Sequence, residues 1–406
     1  MLNLLLASVV VGCSKGTTPT PPDAQTPSSD DLRPPVEQRT PNAPSQSPAF
    51  DGQTRAPQPA APSRFSIETV ADGLDIPWSI EFIGSDEMLV TEREGRLRVV
   101  SKDGTLSAPL QGVPSVHATG QGGLLDVALD PDFETNRMVY LSFSEFRGNE
   151  ENGTSVARGR LSDDQTRLEN TEVIFQQQPA WRSSHHFGSR LVFAPDGNLF
   201  VTTGERGSAS ELSQDPSNHI GSVLRIRPDG SVPEDNPFVG DATARDEVWS
   251  YGHRNLQSAT LDASGRLWTV EHGAKGGDEL NHPEPGKNYG WPVITYGENY
   301  NGLPVGDGIT AQEGLEQPVY YWDPVIAPSG MASYEADAFP GWKGDLLIGG
   351  LRSEVVVRLT MRNNKVYSEE WLDVGTRVRD VKVGPDGFVY LATDQGTILR
   401  LVPSEA

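Results

Sequence analysis

Short apolar runs separated by polar turns dominate the chain from residue 64 onward. The clearest runs are Met88-Leu89-Val90-Thr91, Met138-Val139-Tyr140-Leu141, Leu199-Phe200-Val201-Thr202, Leu267-Trp268-Thr269-Val270, Leu346-Leu347-Ile348-Gly349 and Phe388-Val389-Tyr390-Leu391. Each follows a turn built from Gly, Asp, Asn or Ser, such as Asp196-Gly197-Asn198 or Asp386-Gly387. Runs of four to eight β-branched and aromatic residues between such turns read as strands, and no long stretch carries a helical period. Several runs are preceded by a second strand that ends just before the turn: Val127-Ala128-Leu129, Leu191-Val192-Phe193 and Val381-Lys382-Val383.

Six such units recur at intervals of roughly 40 to 80 residues, the mark of a repeat array. Small antiparallel sheets repeated around an axis leave few exposed edges. The pattern therefore predicts an all-β, six-bladed β-propeller over residues 64–406. The last strand, residues 397–401, should close the ring by sharing a blade with residues 65–70. The uneven spacing predicts long loops at residues 145–180 and 271–318, which would build the channel mouth.

The first residues differ in character. Residues 2–11 form an apolar run too short for an ordinary membrane span. It ends in Val10-Val11-Gly12-Cys13, which resembles a bacterial lipobox, so residues 1–13 are expected to be a lipoprotein-type signal peptide with Cys13 as the acylated residue. Cys13 is the only cysteine among 406 residues, which excludes an internal disulfide framework and a cysteine nucleophile in the folded part. Residues 14–63 are dominated by Pro, Thr, Ser, Gln and Ala and read as a disordered tether. The formal net charge of −23 argues against nucleic-acid binding and suits an exported, soluble domain. The expected location is outside the cytoplasm, on a bacterial membrane facing the periplasm or the exterior, with membrane contact only through the lipid.

Candidate chemistry is sparse and clustered. His185 and His186 open the stretch WRSSHHFGSRLVFAPDGNLFVTTGER, residues 181–206, which is otherwise strand, tight turn, strand. Histidine suits general-base work near neutrality, and neighbours on a strand would face opposite ways, so at most one should reach the channel. Arg377 and Arg379, one residue apart, would share a strand face and suit an anionic ligand, as would Arg254. The Gly- and oxygen-rich residues 271–291 could take a hard cation such as calcium. Tyr320-Tyr321-Trp322-Asp323-Pro324 could stack on a sugar, although aromatic runs more often pack in a core.

Together these stretches resemble the soluble PQQ-dependent glucose/sorbosone dehydrogenases, in particular the bacterial aldose sugar dehydrogenase branch. The resemblance runs through Gly73-Leu74-Asp75-Ile76-Pro77-Trp78, Gly120-Gln121-Gly122-Gly123-Leu124-Leu125-Asp126, His185-His186-Phe187-Gly188 and Asn218-His219-Ile220-Gly221. It continues through Gly252-His253-Arg254-Asn255, Glu271-His272-Gly273, Gly286-Lys287-Asn288-Tyr289-Gly290-Trp291 and Arg377-Val378-Arg379-Asp380. The six-bladed propeller is also that family's fold.

The resemblance implies an enzyme that oxidises aldoses to lactones with PQQ and calcium, passing electrons to an external dye, quinone or cytochrome. It implies His186 as catalytic base. Gln121, Arg254, Asn255, Arg352, Arg377 and Arg379 would contact the cofactor, and the carbonyls of Gly273 and Ala274 would hold calcium. Gln121, His185 and Trp322 would face the sugar. A calcium-dependent propeller lactonase and a non-catalytic extracellular binding propeller are the alternatives, and fold alone does not separate them.

Overall fold

The computed structural model describes residues 32–404. Cys13 and the expected signal peptide lie outside the described residues.

Six sheets surround a central channel. The first blade has three strands, Pro77–Phe82, Glu87–Glu92 and Arg96–Ser101, and the other five have four each. In the second to fifth blades the innermost strands are Leu124–Leu129, Gly188–Phe193, Leu256–Leu261 and Pro328–Tyr334. The sixth blade begins with Val378–Val383 and ends with Ile398–Pro403 paired to Phe65–Ala71, so the two chain ends share one sheet. Each innermost strand packs on the next, and the sixth packs on the first. The ring is closed, with all six apolar runs of the sequence serving as second strands.

Alternation along those second strands explains both their uninterrupted apolarity and the ring. Leu199 and Val201 pack towards the second blade, whereas Phe200 packs towards the fourth. Leu346 and Ile348 likewise face the fourth blade and Leu347 the sixth. A strand buried on both faces reads as a continuous hydrophobic run. Six apolar clusters result, one at each junction between blades. Each fully buried Leu, Ile or Val in them contributes roughly 1.5–3 kcal/mol.

Tight turns fix the hairpins. Gly197 and Gly387 have φ of 81° and 79°, and the adjacent Asp196 and Asp386 carboxylates accept the N–H groups of Asn198 and Phe388. Gly tolerates that left-handed backbone and Asp caps the turn, so Asp-Gly marks the outer end of each such hairpin. Polar side chains then staple blade to blade. Thr91, Ser142 and Thr202, each on a second strand, donate to the inner-strand carbonyls of Leu125, Ser189 and Leu256 in the following blade. Around the axis, Arg190 bridges Asp126 and Asp380 at 2.8 and 3.1 Å, and those carboxylates also accept the backbone N–H groups of Leu191 and Ile80. Burial pushes Asp126 above the usual carboxylate range, and the Arg190 guanidinium opposes that rise.

Three expectations need correction. Residues 145–180 are not a loop: Met138–Gly148, Glu151–Leu161 and Leu168–Gln176 run across them as the three outer strands of the second blade's four-stranded sheet. Within 271–318, Asp278–Asn281 is a third strand of the fourth blade, and Lys275–Gly276 pairs with Gly297–Glu298 as a small ribbon. The described part of the supposed tether, residues 32–63, is packed on the propeller. Gln53 is fully buried and Ala56 joins the core between the fourth and fifth blades. Composition suggested disorder because the segment has few large apolar residues. It docks instead through buried hydrogen bonds.

Candidate active site at the channel mouth

Inner strands run from the mouth to the far end of the channel, and second strands return. Residues just before the first and just after the second therefore gather at one face. Two adjoining cavities open there, of about 660 and 580 Å³. Gln121 and Tyr300 line both.

His186 stands at the first cavity together with His185, Arg206 and Arg254. It precedes Gly188–Phe193 in a bend with φ of 53°, a left-handed conformation uncommon for a residue with a side chain. Its N–H donates to Gln121 Oε1 at 2.8 Å, and its Nδ1 lies 2.6 Å from Glu205 Oε1. Glu205 is 1% exposed, so its carboxylate is the natural acceptor of an Nδ1–H. That tautomer leaves Nε2 with its lone pair, the form a general base requires. Burial pushes His186 below the usual histidine range, only partly offset by the Glu205 hydrogen bond. Because this is a bend rather than a strand, His185 and His186 line the same cavity, contrary to the alternation expected from sequence.

Arg206 holds the bend. Its guanidinium donates to the carbonyls of His185, His186 and Ser183 and to Asn152 Oδ1, and it lies 3.6 Å over the Phe187 ring. With burial and only Glu205 as counter-charge, its pKa falls to about 9.

The second cavity is lined by Arg93, Lys275, Arg352, Arg377 and Arg379, against one carboxylate, Asp394. Arg377 and Arg379 do meet, as their spacing predicts, but through Asp394, at 2.8 and 3.1 Å. Burial lowers Arg379 from its ordinary value. Among the described residues, Asn255 Nδ2 and Arg93 Nε are buried without a hydrogen-bond partner, on two side chains that line this cavity. Arg254 borders the first cavity, donating to His272 O and stacking on Trp291 at 5.1 Å. His272 sits in the wall, pushed down to about 3 by burial while bonded to Pro328 O.

Ala274 also lines this cavity. Gly273 is held beside it by its N–H, bonded to Asp278 Oδ1 at 2.8 Å, in a loop of irregular backbone suited to offering carbonyl oxygens. Among the described residues, no group of three or more His, Cys, Asp or Glu side chains is arranged to hold a metal ion. A cation here would rest on backbone oxygens and on a ligand's own.

Trp322 does not belong to the site. It is 3% exposed in the core between the fourth and fifth blades and donates to Glu369 Oε1 at 2.9 Å. It lies on the outermost strand of its blade, so its side chain is far along the sheet from the channel. Sequence reasoning missed Glu205, Arg206, Arg93, His272 and Tyr300. The first four share a legible signal, since each directly follows a second strand or lies within three residues of its end.

Fold and cleft together define a propeller enzyme whose channel mouth pairs a carboxylate-held histidine with an arginine-rich ligand cavity. The chain belongs to the Glucose / Sorbosone dehydrogenase family, which matches residues 74–400. It is 44% identical over 353 residues to aldose sugar dehydrogenase YliI of Escherichia coli strain K12, covering 85% of this chain and 94% of that protein. The crystal structure of the soluble E. coli aldose sugar dehydrogenase in its apo form superposes with a TM-score of 0.81 at 42% identity, over 84% of this chain and all (100%) of that one. The PQQ-bound form of the aldose sugar dehydrogenase from Streptomyces coelicolor gives a TM-score of 0.68 at 30% identity, over 84% of this chain and 99% of that one.

Proposed function

We propose that this sugar dehydrogenase oxidises the anomeric carbon of aldoses to give lactones, using PQQ and calcium, with His186 as the general base. The observation that carries the reading is the His186–Glu205 pair, with Nδ1 engaged at 2.6 Å and the ring at the edge of the cleft. Glu205 fixes the tautomer and orients the imidazole, so Nε2 can take the proton of the anomeric hydroxyl as C1 loses hydride. A buried imidazole with a lowered pKa stays neutral, and therefore able to accept, below neutral pH.

When bound, PQQ supplies the two-electron acceptor for that hydride. Its carboxylates fit the cationic cavity of Arg93, Arg352, Arg377 and Arg379, and Asn255 and Arg93, which line the same cavity, each carry an unpartnered donor. Gln121, Arg254 and Asn255 would complete the cofactor side, and Tyr300 lines both cavities. The carbonyls of Gly273 and Ala274 would hold calcium, a hard cation that favours such oxygens. His185, which lines the same cavity as His186, would contact the sugar.

Export with a lipid on Cys13 and electron delivery to an external dye, quinone or cytochrome complete the proposal. Support for the first is the apolar run ending in Cys13, and detergent phase partitioning of wild type against Cys13→Ala tests it. The decisive test of the chemistry is dye-linked oxidation of aldoses by the full chain, with and without added PQQ and calcium. Sugar-dependent dye reduction should need both additions, and His186→Ala should lower kcat by orders of magnitude while PQQ still binds. Near-normal turnover in that variant would remove His186 from the role.

A further inference from the structure

Residues 32–63 lie outside the matched family region, yet they form a strap on the outside of the site loop. Three strap donors converge on one carboxylate. The N–H of Asn42, the Asn42 Nδ2 amide and the N–H of Ala43 reach Asp323 at 2.9, 2.7 and 2.9 Å, and Arg55 donates to the Asp323 carbonyl at 2.8 Å. Asp323 is 5% exposed and packed so closely on Gly276 that a Cβ there would fall 2.6 Å from Oδ1.

The second anchor is Gln53. Its Oε1 accepts from Tyr296 OH at 3.1 Å, its Nε2 donates to the Pro318 carbonyl at 2.9 Å, and its own carbonyl accepts the Tyr321 N–H at 2.9 Å. Tyr296 in turn stacks on Tyr321, with ring centres 3.9 Å apart. Both anchors bear on the same ribbon, Lys275–Gly276 paired with Gly297–Glu298, which a Lys275–Glu298 ion pair of 2.6 Å closes. The ribbon's inner side presents Ala274, Lys275 and Tyr300 to the cofactor cavity.

We propose that the strap is a positioning element of the active site: Gln53 and the Asn42–Ala43 pair hold the 275–298 ribbon, and through it the cofactor-facing loop, in the binding geometry before any ligand arrives. The inference rests on the function proposed above only for the identity of the ligand. A two-residue ribbon is marginal alone, because few bonds must offset the ordering of a long loop. Where a site is only fractionally ordered, apparent affinity falls by the competent fraction.

The test uses the full chain as Gln53→Ala and Asn42→Ala, with Ser63→Ala as a control. Ser63 ties the strap to Glu370 and Trp342, away from the ribbon. Backbone amide exchange is read first, on the cofactor-free protein. Gln53→Ala and Asn42→Ala should speed exchange in residues 273–277 and 294–304 and leave the blade strands unchanged, whereas Ser63→Ala should change neither ribbon segment. PQQ titration with calcium present should then show affinity weakened on the order of tenfold in Gln53→Ala, with kcat at saturating PQQ close to wild type. Unchanged exchange in both variants would overturn the proposal, and so would faster exchange with unaltered PQQ affinity. Failure of wild type to bind PQQ would instead refute the proposed function, and the exchange data would still decide whether the strap orders the loop. Should Gln53→Ala unfold, the same exchange and titration outcomes are decided on Asn42→Ala, which removes only one side-chain bond.

Discussion

Replacing Glu205 with Gln tests the catalytic geometry most directly, because it keeps the side-chain shape and removes only the charge. The carboxylate lies 2.6 Å from His186 Nδ1 and is 1% exposed, so solvent cannot take over its role. A hydrogen bond to a charged group contributes roughly 1.5–3 kcal/mol, and in the proposed mechanism the imidazolium forms only as the sugar's proton is transferred. At about 1.4 kcal/mol per decade, kcat should fall about 10- to 150-fold. KM should barely move, since Glu205 lines neither cavity. The pH dependence supplies a second reading. Glu205 raises the pKa of His186 against the lowering by burial, so its loss should carry the acid limb of the kcat profile to lower pH. The assay is steady-state dye reduction across that limb, with glucose and its C1-deuterated form to establish that hydride transfer is being observed. A kcat within about twofold of wild type, or a limb that moves upward, would refute the assignment of Glu205 and weaken that of His186.

Other substitutions separate positioning from packing. Arg206→Lys loses the planar fork that binds three carbonyls and the Phe187 face; kcat should fall at least about tenfold, and NMR of the imidazole should show a mixed tautomer. Arg93→Met removes a buried donor without a partner, so PQQ affinity should drop about tenfold or more while the apo Tm, read by calorimetry, stays level or rises. Trp322→Ala should cost about 3–5 kcal/mol of stability in urea unfolding and leave the ranking of sugars by kcat/KM unchanged. A changed ranking would restore that residue to the substrate side.

The propeller was legible because its signal is repeated and local. Second strands buried on both faces must be apolar throughout, and a polar turn precedes each of them, Asp-Gly in two, so six runs of one kind predicted six blades. The second blade misled for the same reason. Residues 145–180 contain Arg147, Glu151, Arg158, Arg160, Glu169 and Glu172, and the buried stretch 152–157 is mostly small and polar, Asn-Gly-Thr-Ser-Val-Ala. Their strand character came from pairing with Met138–Gly148, which no local pattern reports. The strap escapes a reading by composition, because a segment that docks through backbone N–H groups and a buried glutamine carries no apolar signature.

Site residues obey a different logic, which explains what was and was not visible. The histidine pair, Arg254, Arg377 and Arg379 stood out by residue type and spacing, and Gln121, Asn255, Arg352 and the choice of His186 as base came from resemblance, whereas Glu205, Arg206, Arg93 and His272 are placed by topology. Each stands where a second strand emerges at the mouth: Glu92 ends its strand before Arg93, Thr203 before Glu205, and Glu271 before His272. Once the six second strands are assigned, their C-terminal neighbours form a ring whatever their identity. Glu205 meets its histidine because His186 occupies the matching position before an inner strand. The left-handed turn at His186 follows from the same constraint. Its carbonyl must reach Arg206 while its N–H reaches Gln121 and its ring reaches Glu205, and the backbone satisfies all three only by leaving the extended region. Strain of that kind persists only where surrounding bonds over-determine it, and here those bonds come from the second and third blades together. His186 is thus held by the junction between blades rather than by either blade alone, which is why the repeat could be read from local runs and the partners of His186 could not.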